Sequence, residues 1–160
     1  MRLAASIVAL LMLSACGDGG DTTAAPEQAA APAPEAISDA EKQAMLASLP
    51  APYNTADLAN GQRKFAMCRS CHTLTDGGSN MTGPNLHEVF GEKAGHEDHY
   101  NYSEALKASG ITWDAATLDK WIENPRGLVP GTKMAFAGIK TPKDRIDLIG
   151  YLRVQAGAED

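Results

Sequence analysis

Residues 68–72 read Cys68, Arg69, Ser70, Cys71, His72. Residues three apart share one side of a helical turn, and a C-x-x-C-H run is the attachment signature of a c-type haem. Each thiol can add across one vinyl group of a porphyrin, so the two sulfurs must project together at a short, fixed separation. The next residue must then offer an imidazole nitrogen to the iron, and that residue is His72. Two other chemistries use paired cysteines. A structural zinc site takes four Cys/His ligands in two pairs, but there is no second C-x-x-C or H-x3-H, and the remaining cysteine, Cys16, lies in a leader. A thioredoxin-type dithiol needs a βαβ setting, and the flanks here read as helix and loop. The expected cofactor is therefore one haem c, bound through Cys68 and Cys71.

Low-spin electron-transfer haems pair the first His with Met or a second His. The residues that could serve are Met67, Met81, Met134, His87, His96 and His99. Met67 abuts the attachment run and cannot come round to the opposite face. Met81 follows His72 by a short reach, and His96 and His99 sit in a charged loop. Met134 ends the irregular run Pro130, Gly131, Thr132, Lys133, Met134, which can turn one side chain inward. A Met in such a place is as often core filler, so the pattern leaves the ligand open.

The elements that must position these groups are helical. Leu58, Gly61, Phe65 and Cys68 recur at steps of three and four, one apolar stripe. Gly61 within it points to a helix crossing closely, and the last helix is the expected partner. That helix starts at Thr141 and Pro142, with Pro at the first helical position, and buries Leu148, Tyr151 and Leu152. Residues 103–109 suggest a short helix. Residues 114–124 form a better one, with Ala115, Leu118, Trp121 and Ile122 on one side, stopped by Pro125. No run reads as a sustained strand. The fold class is all-α, three to five helices and long loops wrapped around a haem, with the first and last helices of the domain crossing.

The 160 residues divide into three stretches. Residues 1–15 carry Arg2 and then an apolar run, Leu3 to Leu13, of secretory type. This run is too short for the ~20 residues of a membrane span. Leu13, Ser14, Ala15, Cys16 is similar to a bacterial lipoprotein box, which would make Cys16 the lipidated first residue of the mature chain. Residues 16–52 are expected to be a tether, Ala/Pro-rich and acidic up to Glu35. Within it, Ser38 and Glu41 make a capping box that can start a short helix to Leu49. Residues 53–160 are expected to be the haem domain. The location that follows is the periplasmic side of a bacterial membrane, lipid-anchored.

The chain is resolved into further matches by Gly61 to Phe65, Cys68 to Thr73, Thr82 to His87, Gly110 to Trp113, Glu123 to Pro125, Pro130 to Ile139 and Asp147 to Leu152, in that order. Through these stretches residues 57–156 resemble class I, mitochondrial-type cytochrome c, in a membrane-tethered bacterial form. The resemblance implies that His72 and Met134 ligate the iron and that the Pro84 carbonyl accepts from His72. It implies that Tyr102 and Trp113 donate to one haem propionate and that Thr132 lies near the other. Two positions depart from the family. Glu92 stands where an Arg often supports the propionates, with Lys93 beside it, and Trp121 stands where a Tyr usually bonds the Met sulfur.

With both axial positions filled by protein, the expected function is one-electron carriage, not enzymatic catalysis. A cytochrome bc complex and a haem–copper oxidase are the expected neighbours. Two other functions stay open, a haem enzyme or sensor in which Met134 dissociates, and a dedicated subunit of a periplasmic dehydrogenase. The whole chain carries −6, and no nucleic-acid partner is expected. The charge is polarised, with residues 126–145 basic and residues 76–123 acidic. Arg126, Lys133, Lys140 and Lys143 are therefore expected to dock a monomeric carrier onto acidic partner surfaces.

Overall fold

A computed structural model describes residues 37–157. The leader, Cys16 and the tether up to residue 36 lie outside the described residues. Within them the chain forms six α-helices, α1 (Asp39–Ala47), α2 (Leu58–Phe65), α3 (Glu104–Lys107), α4 (Ala115–Glu123), α5 (Pro125–Leu128) and α6 (Pro142–Gln155). A 3₁₀ turn, Tyr53–Thr55, joins α1 to α2, and the only pairing of extended backbone among the described residues is an isolated bridge between Lys93 and Thr112.

The helix starts follow from local side-chain chemistry. Ser38 accepts from Glu41 N–H while the Glu41 carboxylate accepts from Ser38 N–H, so α1 opens on a full capping box. Asp57 caps α2 by accepting from Asn60 N–H, and Asp114 caps α4 by accepting from Thr117 N–H. Asn124 does the same for α5, with Pro125 in its first turn. This is one helix more than the sequence suggests. Pro125 ends α4, as expected, but its fixed φ also suits the first position of a new helix.

The core is centred on α6, whose Leu148, Ile149 and Val154 are at most 1% exposed. The closest pairing of elements is α2 against α6. Gly61 makes it possible, because a Cβ there would collide with Asp147 O and Tyr151 Cβ. On α6, Leu148 and Leu152 face the interior cavity, while Gly150 lies about 200° round the helix from Leu148. A Cβ on Gly150 would overlap Ala56 and touch Leu46. The segment from α1 to α2 therefore packs on the back of α6, with Leu46, Leu49 and Tyr53 buried. The ordered domain thus begins before residue 53, and residues 39–52 belong to it and not to a tether. The apolar spacing of α1 is real, but its partner lies a hundred residues away.

The haem cavity

Cys68 and Cys71 sit in the turns that follow α2, where Cys71 N–H donates to Cys68 O and His72 N–H to the same carbonyl (2.9 and 3.0 Å). The two cysteines are not bonded to each other, and both face one cavity of about 360 Å³. Met134 enters that cavity from the loop before α6, where its N–H is held by the Thr132 hydroxyl (3.2 Å). All the residues read as haem contacts, Cys68, Cys71, His72, Pro84, Tyr102, Trp113, Thr132 and Met134, line this one cavity.

The imidazole is fixed from two directions. Its Nδ1 lies 2.7 Å from Pro84 O. A carbonyl can only accept, so Nδ1 carries the proton and Nε2 is left with a free lone pair. A Cβ on Gly83 would collide with the ring, so only glycine lets the backbone cover it this closely. Burial lowers the His72 pKa below the ordinary value, the Pro84 bond opposing it, and this favours the neutral ring. Burial, with Cys71 adding, pushes the Cys68 thiol up to about 11. Burial, reinforced by Glu97, pushes Tyr102 up to about 12, so its hydroxyl keeps its proton to donate.

The other candidate ligands are placed apart. Met81 is 48% exposed and does not line the cavity. His87 and His99 line a neighbouring polar cleft, with His96 between cleft and cavity. Glu92 faces that cleft and Lys93 is exposed, so neither borders the cavity. Trp121 does line it, its ring 5.4 Å from Trp113. Sequence reading missed Leu106, Val89 and Phe136 as cavity wall. Their available signals were the expected short helix for Leu106, the resembling stretch Pro130 to Ile139 for Phe136, and apolar character alone for Val89.

The expected basic docking set is largely engaged within the chain. Lys133 Nζ donates to Asn101 O, Asn101 Oδ1 and Tyr102 O at 2.7–3.1 Å. Lys140 Nζ donates to Glu123 O (2.6 Å), and Lys143 pairs with the buried Asp147. Loop and helix-end carbonyls lack backbone donors, and lysines answer them. Arg145 is 6% exposed and held by Asp119 and by the Ile139 and Lys140 carbonyls. Of the four residues expected to dock, only Arg126 has an exposed side chain without a partner among the described residues.

Two thiols three residues apart, an imidazole presenting Nε2 and a thioether from a distant loop, all in one apolar chamber, define a c-type haem protein. The family model described as Cytochrome c matches residues 58–155. The chain belongs to the cytochrome c family, whose members are electron-transfer proteins and not enzymes, and it carries one haem c bound covalently through Cys68 and Cys71. It is 47% identical over 105 residues to cytochrome c2 of Rhodomicrobium vannielii, covering 66% of this chain and 84% of that one. It is 52% identical over 97 residues to cytochrome c of Arabidopsis thaliana, covering 60% and 87%. The structure resembles cytochrome cH from Methylobacterium extorquens with a TM-score of 0.57 and 48% identity, covering 61% of this chain and 97% of that one.

Proposed function

We propose that this electron carrier works from a lipid anchor at Cys16 on the periplasmic side of a bacterial membrane, between a cytochrome bc complex and a haem–copper oxidase. The observation that supports the carrier chemistry is the meeting of His72 and Met134 in one cavity. These two residues would hold the iron, so the protein's own side chains would fill the places a substrate would need. When bound, the haem supplies a reversible one-electron couple. Met as a ligand favours a higher potential than a second His, which suits donation to a strong oxidant. Tyr102, Trp113 and Thr132 would receive the propionates, and Pro84 would keep the His72 ring oriented, as partners of a ligand do. Support for the anchor is the sequence before Cys16 and the export that covalent haem attachment in bacteria requires.

One experiment addresses both levels. The chain is expressed with an intact leader, fractionated, and titrated optically against potential. The expected result is a membrane-bound haem protein with a methionine–iron spectrum, which Met134→His converts to a bis-imidazole spectrum of lower potential. Cys16→Ser is expected to release the same spectrum into the soluble periplasm. A spectrum indifferent to Met134→His would rule out the ligand pair. Membrane retention of the Cys16→Ser protein would rule out the anchor.

A further inference from the structure

Two large apolar side chains stand open to solvent among the described residues, Met67 and Met81, each 48% exposed. Met67 lines the haem cavity, and Met81 directly precedes Thr82, which lines it too. Met67 directly precedes Cys68 and forms part of the cavity wall. Met81 lies in a turn tied to the attachment residues by the bond from Gly83 N–H to Cys71 O (2.8 Å). In the same turn, the Thr82 carbonyl accepts from the Tyr100 hydroxyl, and Thr82 lines the cavity. Isolated exposed apolar residues need no explanation. Here one lines the haem cavity and the other directly precedes a residue, Thr82, that does.

The charges support the same assignment. Residues 37–157 hold 13 Lys/Arg against 14 Asp/Glu, so the domain has little net charge. Lys133, Lys140 and Lys143 are bound internally. Two residues beyond Met67 stands Arg69, exposed and without an ion pair among the described residues. Across Asn85 and His96, which border both chambers, the polar cleft carries Asp76, Glu88, Glu92 and Glu97.

Building on the carrier function, we propose that Met67 and Met81 form an apolar docking rim. Its occupant is a redox protein whose own cofactor opening is framed by apolar side chains. That partner places a carboxylate opposite Arg69 and cations opposite the cleft. Unbranched, polarisable methionine side chains can adapt to a donor and an acceptor in turn. Contact of this kind depends on surface buried and is little screened by salt, unlike attraction between exposed charges.

The test uses the haem-loaded full chain on gold electrodes coated with methyl-terminated or carboxylate-terminated alkanethiols. Electron exchange is read by voltammetry and adsorbed mass by quartz microbalance. The wild type is expected to exchange faster on the methyl surface. Met67→Lys with Met81→Lys is expected to shift the methyl-to-carboxylate rate ratio by about tenfold or more, and to raise the mass held on carboxylate. Lys120→Gln, an exposed position on α4 outside the rim, is expected to leave the ratio unchanged. All variants share the same N-terminal segment, so differences between them report the substituted side chains. Faster wild-type exchange on carboxylate, or a ratio untouched by the lysine pair, would overturn the rim. No exchange on either surface, with the haem spectrum intact, would overturn the carrier function and the rim with it.

Discussion

At the crossing of α2 and α6, polar groups are answered by side chains of the crossing itself. Asp147, 1% exposed, accepts from Asp57 N–H (2.8 Å), from Asn60 Nδ2 (2.9 Å) and from Lys143. The same Asn60 amide also reaches Asp144 (3.0 Å), which pairs with Lys64 (2.9 Å). The loop wall of the cavity is held differently. Asn85 donates its side-chain amide to Thr75 O and Gly78 O and its backbone N–H to Asn80 Oδ1, a knot of contacts between residues 75 and 85. Lys133 ties its loop to Asn101. Meanwhile the apolar side chains of this wall, Val89, Tyr102 and Trp113, line the cavity. The crossing contains its own apolar partner, whereas the wall's partner is the haem.

The largest consequence concerns removal of that partner. Cys68→Ala with Cys71→Ala is expected to abolish most of the ~5–15 kcal/mol typical of a folded domain, because the wall loses the surface it buries. Denaturant titration should lose its cooperative transition and near-UV circular dichroism should collapse, while far-UV dichroism keeps some helix. A cooperative transition in this variant would show that the loops hold a core of their own. The second test strikes the crossing. Gly61→Ala forces a Cβ against the Asp147 backbone, and overpacking of this kind is expected to cost about 3 kcal/mol. Gly91→Ala makes the comparison in the wall. Nothing lies within 4 Å of its Cβ, but φ is +86°, so only backbone strain of about 1 kcal/mol is expected. Guanidinium midpoints of the two haem-loaded variants check the contrast.

These two regions were not equally legible in the sequence. The crossing was, because Gly61 in an apolar stripe and Pro142 at a helix start are local signals for a global contact. The attachment run was legible for the same reason, its chemistry being written in five consecutive residues. The wall was legible only through the family resemblance. Tyr102, Trp113 and Met134 come from three loops, and nothing in their local spacing says that they meet. The packing of α1 was not legible either. Its capping box marks a helix, but its dock is the bare face at Gly150, and a missing side chain leaves no pattern to match. The contacts of the basic segment were not legible for a related reason, since formal charge counts lysines without showing which carbonyls or carboxylates they also serve.

The smallest expected effect sharpens the comparison through pH. Burial raises the Asp147 pKa, but Lys143, Asp57 N–H and Asn60 together outweigh it, and the net shift is downward. Bonds from Asn60 and Lys64 also lower Asp144. A carboxylate whose folded value lies below its unfolded value of about 3.9 binds fewer protons in the folded state. The stability it contributes is therefore complete above about pH 4 and is lost as pH falls through the folded value. Haem-loaded protein should unfold at nearly constant denaturant concentration from pH 8 to 5 and at less below pH 4. Asp147→Asn should cost about 2 kcal/mol at pH 7, because it weakens the bonds to Lys143 and Asp57 in a buried place. It should also flatten the acid decline, since the group that titrates is gone. Midpoints measured at pH 7, 5 and 3 decide the matter. If the Asn variant declines as steeply as the wild type, acid sensitivity resides in carboxylates other than Asp147, Asp144 among them.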